Sequence, residues 1–253
     1  MENNNRTYGV EIEAHGVGTT ELANALNEAG INCNYEGYNH TTRNHWKIVR
    51  DSSIHGNKPF ELVSPPLKGE EGLEEIKKVC QVLKTLGAQV NTSCGLHVHH
   101  DAGDLNLDNF KNLYSLYTRF ESTIDQFVPE SRRGNNNNFC KTLQGLNDQI
   151  HQSRSLEEIK TATGSRYVKL NIQSYWRHGT IEFRHHPGTI NPTKIINWII
   201  LTQLMVERSK STVRVTRTEV NLRQLQKVLT RNLNNNHNPL FTYFKKRAQQ
   251  VAA

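Results

Sequence analysis

The chain has 253 residues, of which 35% are hydrophobic and 22% are charged, and its formal net charge at pH 7 is +7. This composition is typical of a globular protein with its own core, and the absence of any run of about 18 apolar residues excludes a membrane-spanning helix. The first residues, MENNNRTYG, form no apolar segment and the four cysteines form no CxxC pair, so the sequence predicts neither a secretory signal nor a disulfide scaffold, and it favours a cytoplasmic location.

The periodicity of apolar residues predicts an α+β fold with a mostly antiparallel sheet and helices on one face, because strands and helices do not alternate strictly. Strands are predicted at residues 7–14, 31–35, 46–49, 60–63, 89–99, 167–172 and 180–185. Helices are predicted at residues 19–29, 73–86 and 110–127, after Ser155, after Asn191-Pro192, at 219–233 and after Asn238-Pro239. Thr19 or Thr20 is expected to cap the first helix, and Gly30 to end it.

Positive charge is concentrated at the C-terminal end. Residues 207–253 contain ten Lys or Arg and two Glu, so the basic excess of the chain lies in this region. The first interpretation is a solvated helix face. The second is contact with an anionic partner, such as nucleic acid or an acidic peptide, or with another subunit of a homo-oligomer.

Three predicted strands place ionisable side chains on one face and apolar side chains on the other, because alternate residues of a strand share a face. The pairs that share a face are Glu11 with Glu13, His97 with His99, and Glu182 with Arg184. A fourth strand adds Glu61. An ordinary solvent-exposed sheet face remains one interpretation of each motif taken alone.

The choice of these residues indicates metal and phosphate chemistry. Carboxylates held together repel one another, and a bound cation removes that cost. Glutamate oxygens with one imidazole suit a hard divalent ion such as Mg²⁺ or Mn²⁺. Arg184 beside them would suit a phosphate, because a guanidinium binds oxyanions through two hydrogen bonds. Together these features indicate phosphoryl chemistry on a nucleotide.

Five motifs in a fixed order resemble the amidoligase family, whose members are carboxylate–amine ligases with a fold like that of glutamine synthetase and glutamate–cysteine ligase. The motifs are YGVEIE (8–13), W-x4-DSS (46–53), ELVSP (61–65), CGLHVHHD (94–101) and TIEFRHHPGT (180–189). The resemblance implies a curved, mostly antiparallel sheet with helices on its outer face. It also implies a catalytic domain at residues 1–206, followed by a basic helical extension at 207–253.

The resemblance implies an ATP-dependent reaction that forms an amide or peptide bond. ATP would phosphorylate a substrate carboxylate, and an amine would then displace phosphate from the acyl phosphate. The implied cofactors are ATP and Mg²⁺ or Mn²⁺, and the implied substrates are a small-molecule or peptide carboxylate and an amine. Family members are often linked with glutamine amidotransferases, so such an enzyme is a candidate partner.

The resemblance also implies roles for individual residues. Glu13 and Glu61 resemble ligands of the metal nearer the acceptor carboxylate, while Glu11, His97 and Glu182 resemble ligands of the metal that bridges the β- and γ-phosphates. Arg184 resembles the arginine that stabilises the transferring phosphoryl group. Further candidate contacts to nucleotide, phosphate or substrate are His99, Arg166 and Lys169, and a role of the last two as solvated cations at a strand edge stays open.

Some positions depart from the family pattern or have a second interpretation. The family commonly has Asp-Gly-Ser where this chain has Asp51-Ser52-Ser53, which puts the turn and the role of Asp51 in doubt. His185 and His186 point to opposite faces of the strand, so at most one of them could join the site, and both are expected to be surface histidines. Cys94 is expected to be a small buried residue rather than a nucleophile.

Two other functions remain in competition with the ligase. His97 and His99 form a His-x-His pair that chelates zinc in metal-dependent hydrolases, where a third His or carboxylate completes the site. The basic region at 207–253 would suit a nucleic-acid-binding protein. The substrates are expected to be selected by loops at 35–44, 53–58 and 132–139.

Overall fold

The computed structural model describes residues 5–211, 220–231 and 238–252. Within these residues the chain forms two compact units. The first unit comprises Asn5–His100 and His186–Trp198, and the second comprises Asp101–His185 with the described residues from Ile199 onward.

Strands and helices follow one another in an irregular order. The strands of the described residues are β1 (Tyr8–Ala14), β2 (Cys33–Tyr35), β3 (Trp46–Val49), β4 (Phe60–Val63), β5 (Gly95–Asp101), β6 (Leu170–Asn171) and β7 (Thr180–Pro187). The helices are α1 (Thr19–Glu28), α2 (Gly69–Thr85), α3 (Leu107–Asp125), α4 (Asn147–Gln152), α5 (Leu156–Thr163), α6 (Ser174–His178), α7 (Pro192–Ser209), α8 (Leu222–Leu229) and α9 (Asn238–Ala252). The predicted α+β class is confirmed.

The strands of the first unit pair in the order β2-β3-β4-β1-β5. The neighbours β3–β4, β4–β1 and β1–β5 are antiparallel, whereas β2 and β3 are parallel. In the second unit β6 pairs antiparallel with β7. The prediction of a mostly antiparallel arrangement is therefore confirmed by the pairs within each unit.

The alternation of residues in β1, β4 and β5 explains the core of the first unit. Val10, Ile12, Leu62, Leu96 and Val98 are all at most 1% exposed. The helices contribute a second buried set at helical spacing, which comprises Leu22 and Leu26 of α1 and Ile76, Val79 and Leu83 of α2. Burial of these apolar side chains leaves the opposite face of the sheet for ionisable residues.

Helix α1 ends as predicted but begins differently. Gly30 has φ of +79°, which is the left-handed conformation that glycine adopts at a helix end. The residue that precedes α1 is Gly18, and no side chain caps the helix there. The prediction that Thr19 or Thr20 is the cap was therefore wrong, because both threonines lie inside the first turn.

The second unit is built around α3, whose residues Phe110, Leu113, Tyr117, Phe120 and Ile124 are fully buried. The two predicted basic helices are present as α8 and α9. They add a buried apolar set, which comprises Leu225, Val228, Leu229, Leu240, Phe241 and Phe244. The ring centroids of Phe127 and Phe244 lie 4.8 Å apart, so α9 packs against the end of α3 through this pair.

Two predicted strands differ most from the structure in their bounds. The strand expected at 167–172 is reduced to Leu170–Asn171, and the chain then forms the short helix α6 before β7. Gly179 ends α6 with φ of +66°, and β7 begins at the next residue. The strand expected at 89–99 begins only at Gly95, because Asn91 and Ser93 form a turn through their side chains.

Candidate functional site

The pairing of β1 with its two neighbours brings four predicted site residues together in the first unit. Glu11 lies opposite His97 of β5, and Glu13 lies opposite Glu61 of β4. Directly opposed residues on one sheet face have Cβ atoms about 4.5–5.5 Å apart, so their side chains meet. The sheet register thus assembles residues that are up to 86 positions apart in sequence.

His97 lies between the two carboxylates of β1. Its Nδ1 is 2.9 Å from Glu11 Oε2, and its Nε2 is 3.5 Å from Glu13 Oε1. His99 Nε2 lies 3.3 Å from the other oxygen of Glu11. The side chains of His97 and Glu13 are each 5% exposed, whereas that of Glu11 is 25% exposed. Glu11 is therefore the most accessible of these three groups.

The histidines determine the charge of Glu11. Burial opposes ionisation of this carboxyl group, but the charges and hydrogen bonds of His99 and His97 outweigh it and hold the pKa of Glu11 well below its ordinary value. Glu11 is therefore ionised at neutral pH, as a metal ligand must be.

Two adjoining sets of side chains in the first unit could each hold a divalent ion. One set is Glu11, Glu61 and His97, the other is Glu13, Asp51 and Glu61, and in each set the ligand atoms lie within 4.8 Å of one another. Glu61 belongs to both. The donors are carboxylate oxygens with one imidazole. These hard donors fit Mg²⁺ or Mn²⁺ better than zinc, whose structural sites use softer cysteine and histidine donors.

Asp51 is the residue that sequence reasoning left in doubt and that the structure brings to the site. Its Oδ1 accepts hydrogen bonds of 2.7 Å from the backbone N–H and from the hydroxyl group of Ser53. Among the described non-glycine residues only Lys58 has a positive φ, so the Asp51-Ser52-Ser53 turn needs no glycine. The aspartate side chain closes this turn itself.

Backbone groups orient the carboxylates. Glu13 Oε2 accepts a hydrogen bond of 2.5 Å from the N–H of Gly95, the first residue of β5. Val10 N–H donates to the hydroxyl of Ser64, which directly follows β4. These bonds connect β1 to both neighbouring strands, so Glu11, Glu13, Glu61 and His97 are held by the sheet, whereas Asp51 is held by its turn.

In the second unit, Glu182 and Arg184 share a face of β7 as predicted, since the guanidinium of Arg184 forms an ion pair with Glu182. The amide of Asn171 donates to the other carboxylate oxygen of Glu182 at 2.7 Å. Arg184 Nε also donates to the backbone oxygen of Phe139 at 3.3 Å. Their metal-binding and phosphate-binding roles stay predictions.

The two candidate phosphate contacts have different surroundings. Arg166 is exposed, and its guanidinium donates to the hydroxyl of Tyr167 at 3.1 Å. Lys169 is fully buried, and its ammonium contacts Glu121 Oε1 at 2.7 Å and Asp125 Oδ1 at 2.8 Å. The interpretation of Lys169 as a solvated cation at a strand edge was therefore wrong. Its proposed contact with nucleotide stays a prediction.

The expectation that His185 and His186 are surface residues was wrong, because their side chains are buried. His185 Nδ1 forms a hydrogen bond of 2.7 Å with the hydroxyl of Tyr117, and its Nε2 lies 2.7 Å from Asp125 Oδ1. Alternation alone left one of the two histidines facing away from the core. His185 is buried by its contacts with α3, and the ring centroid of His186 lies 5.3 Å from that of Trp198.

Burial of His185 predicts a pH dependence of stability. Burial lowers the pKa of His185 to about 4, whereas an unfolded histidine titrates near 6.5. The unfolded chain therefore binds a proton that the folded chain does not, and the free energy of unfolding should fall as the pH drops from about 6.5 towards 4, on the order of 2 kcal/mol at pH 5 from this residue. Urea unfolding at pH 7 and pH 5 measures the effect.

The control for this prediction is a pair of histidine variants in the same unit. His185→Gln should show a smaller loss of stability between pH 7 and pH 5 than the parent protein. His151→Gln, which changes an exposed histidine, should retain the parent's pH dependence. Equal pH dependence in the His185→Gln protein and its parent would contradict the assignment.

The basic C-terminal region exposes part of its charge. Arg223, Lys227, Lys245 and Lys246 are exposed, whereas the apolar residues of α8 and α9 are buried. An anionic partner or a homo-oligomer contact through residues 207–253 stays a prediction. None of the described helices is both long enough and apolar enough to cross a membrane.

The chain is similar to solved structures of glutamine synthetase homologues. Two similar solved structures are a crystal structure described as a novel glutamine synthase homolog and a cryo-EM structure of Plasmodium falciparum glutamine synthetase. The first is 12% identical with a TM-score of 0.39, and the second is 11% identical with a TM-score of 0.45. The chain aligns over 98% of its own length and spans 65% of the first structure's chain and 72% of the second's. No curated protein sequence gave a match.

A family model described as "Putative amidoligase enzyme" matches residues 4–206. This range includes all five motifs that carry the resemblance and the carboxylate and histidine residues of the first unit. The chain belongs to the amidoligase family.

Proposed function

We propose that this protein is an ATP-dependent carboxylate–amine ligase that forms an amide bond through an acyl phosphate. The observation that supports the proposal is the pair of adjoining metal-binding sets that share Glu61, in a member of the amidoligase family. Two ions near one another would suit a reaction in which a triphosphate and a carboxylate, both anionic, must approach.

The reaction balances in two steps. A carboxylate oxygen of the acceptor bonds to the γ-phosphorus of ATP while the bond from that phosphorus to the bridging oxygen breaks, and ADP leaves. The amine nitrogen then bonds to the acyl carbon, the bond from that carbon to the phosphate oxygen breaks, and the amine loses a proton. Phosphorylation is needed because a free carboxylate has no adequate leaving group.

The residues of the first unit would hold and orient the ions. Glu11, Glu61 and His97 would bind one ion, and Glu13, Asp51 and Glu61 the second. Bound Mg²⁺ would neutralise phosphate charge and polarise the phosphoryl oxygens. His97 contacts both Glu11 and Glu13 and would orient these two carboxylates for the ions.

In this proposal the other roles follow the resemblance. Glu182 would be a further metal ligand, and Arg184 would stabilise the transferring phosphoryl group. His99, Arg166 and Lys169 contact nucleotide or substrate.

The test is an assay of ADP and phosphate release with a panel of amino acids and amines in the presence of Mg²⁺ or Mn²⁺. Hydroxylamine serves as a trapping amine, because it converts an acyl phosphate to a hydroxamate that can be detected by its colour with iron. We expect ADP release that depends on one carboxylate, and hydroxamate formation with that same compound. ATP turnover without hydroxamate, or no turnover with any member of the panel, would contradict the proposal.

Metal analysis separates the ligase from the zinc hydrolase. Neither metal-binding set of the first unit contains both His97 and His99, and each contains two or three carboxylates. We therefore expect weakly bound Mg²⁺ or Mn²⁺ rather than zinc. Stoichiometric zinc that survives dialysis would favour the hydrolase instead.

A further inference from the structure

Lys47 is a buried cation on the same sheet face as the carboxylates, and no role was predicted for it. It is 4% exposed. The registers of β3, β4, β1 and β5 align Lys47 with Val63, Val63 with Glu11, and Glu11 with His97. Adjacent strands lie about 4.8 Å apart, so Lys47 is two strands, about 10 Å, from Glu11 in a single row across the sheet.

The ammonium of Lys47 is bound to the loop that joins β2 to β3. It donates to Asn39 Oδ1 at 2.8 Å, to the Thr41 backbone oxygen at 2.8 Å and to the Asn39 backbone oxygen at 3.3 Å. A neutral amine has two N–H groups, and three acceptors therefore require the charged form. Burial lowers the pKa of Lys47 below its ordinary value, and the negative charges of Glu36, Glu11 and Glu61 offset only part of this effect.

A second group of contacts closes the same loop, residues 36–45. Glu36 accepts from Arg43 Nε at 2.8 Å and from the amide of Asn39 at 3.2 Å, and it lies 2.7 Å from His45 Nε2. Asn39 is thus shared between Glu36 and Lys47. Parallel strands such as β2 and β3 are usually joined by a helix, so an irregular loop here needs side-chain contacts to keep one conformation.

The loop presents exposed side chains beyond its anchor. Tyr38 is 70% exposed, its hydroxyl lies 2.8 Å from His40 Nε2, and the two rings meet edge to face with centroids 4.9 Å apart. Tyr38 and His40 flank Asn39, which Lys47 binds, and ligand-contacting side chains commonly lie on loops that a rigid scaffold positions.

We propose that Lys47 is a positioning residue that holds the 36–45 loop at the edge of the carboxylate face, where the loop forms one wall of the pocket for the acceptor carboxylate. Lys47 does not touch the reacting atoms. It acts through Asn39 and Thr41. This inference rests on the proposed ligase function for the identity of the ligand, whereas the attachment of the loop rests on geometry alone.

The first test is hydrogen exchange of the full-length protein, which needs no substrate. Loss of bonds to a charged donor should make amides of the 36–45 loop exchange about tenfold faster or more in Lys47→Met. Asn39→Ala, which removes one acceptor and the link to Glu36, should have the same effect on the same loop. Lys78→Met, which changes an exposed lysine of α2, is the control and should leave the loop unchanged.

The second test compares the KM for the acceptor with the KM for ATP. With the carboxylate that is active in the ligase assay, Lys47→Met should raise the acceptor KM by about tenfold and leave the KM for ATP and the affinity for Mn²⁺ within about twofold. Unchanged loop exchange in Lys47→Met would overturn the attachment. Faster exchange with an unchanged acceptor KM would overturn the pocket-wall role. A parent protein without ligase activity would remove the proposed function and this pocket together, while the exchange result would still decide the attachment.

Discussion

Glu61→Gln should reduce ATP-dependent amide formation by about 10³-fold or more, the largest loss of activity that we expect from one substitution. Glu61 belongs to both metal-binding sets of the first unit, so the loss of its charge weakens both. The amide nitrogen that replaces one oxygen is a donor and does not bind a cation. Initial rates of ADP release measure the effect, and the affinity for Mn²⁺, measured by titration calorimetry, should fall by at least about 100-fold.

Two further variants make this result specific. Asp51→Asn removes a charge from one set only and keeps the oxygen that closes the turn with Ser53, so its loss of activity should be smaller. Glu71→Gln changes an exposed carboxylate of α2 and should behave like the parent protein. Full activity in Glu61→Gln would remove the metal assignment and with it the basis of the proposed mechanism.

Lys169→Met should lower the free energy of unfolding by about 3–5 kcal/mol, the largest loss of stability that we expect. The ammonium of Lys169 is fully buried and contacts Glu121 and Asp125, whose carboxylates would be left without their cation. Removal of one partner of a buried ion pair is costly because the other charge remains in a medium of low polarity. Urea denaturation measures the difference.

The matched control is Lys246→Met on α9, where the lysine is exposed and the change should stay within about 0.5 kcal/mol. The same Lys169 variant also tests the predicted contact with nucleotide. A raised KM for ATP in the folded protein would support that contact, and an unchanged KM would leave Lys169 with a structural role only. Parent-like stability in Lys169→Met would contradict the account of the buried pair.

The residues of the candidate site could be found from sequence wherever a single strand determines their direction. Glu11 with Glu13 in β1 and Glu182 with Arg184 in β7 share a face because side chains alternate along a strand, and the structure agrees. The long helices α2 and α3 were equally predictable, because their apolar residues recur at helical spacing over four or more turns.

Residues whose surroundings come from other elements were predicted less well. The burial of His185 depends on Tyr117 and Asp125 of α3, which are 60 or more positions away and give no local signal. The start of the first helix was also predicted less well. Gly18 is the residue that precedes α1, so both threonines lie within the helix and neither caps it. The short length of β6 is likewise set by its pairing, because only Leu170 and Asn171 pair with β7.

The sequence by itself determined the class of the fold and the family, and it predicted which ionisable residues share a sheet face, because strand alternation and residue type are local properties of a motif. Only the tertiary structure decided that Asp51 joins Glu13 and Glu61, that Lys169 is paired with buried carboxylates, and that Lys47 holds the 36–45 loop. These contacts depend on strand register and on packing between distant segments, and the same side chains in another register would meet different neighbours.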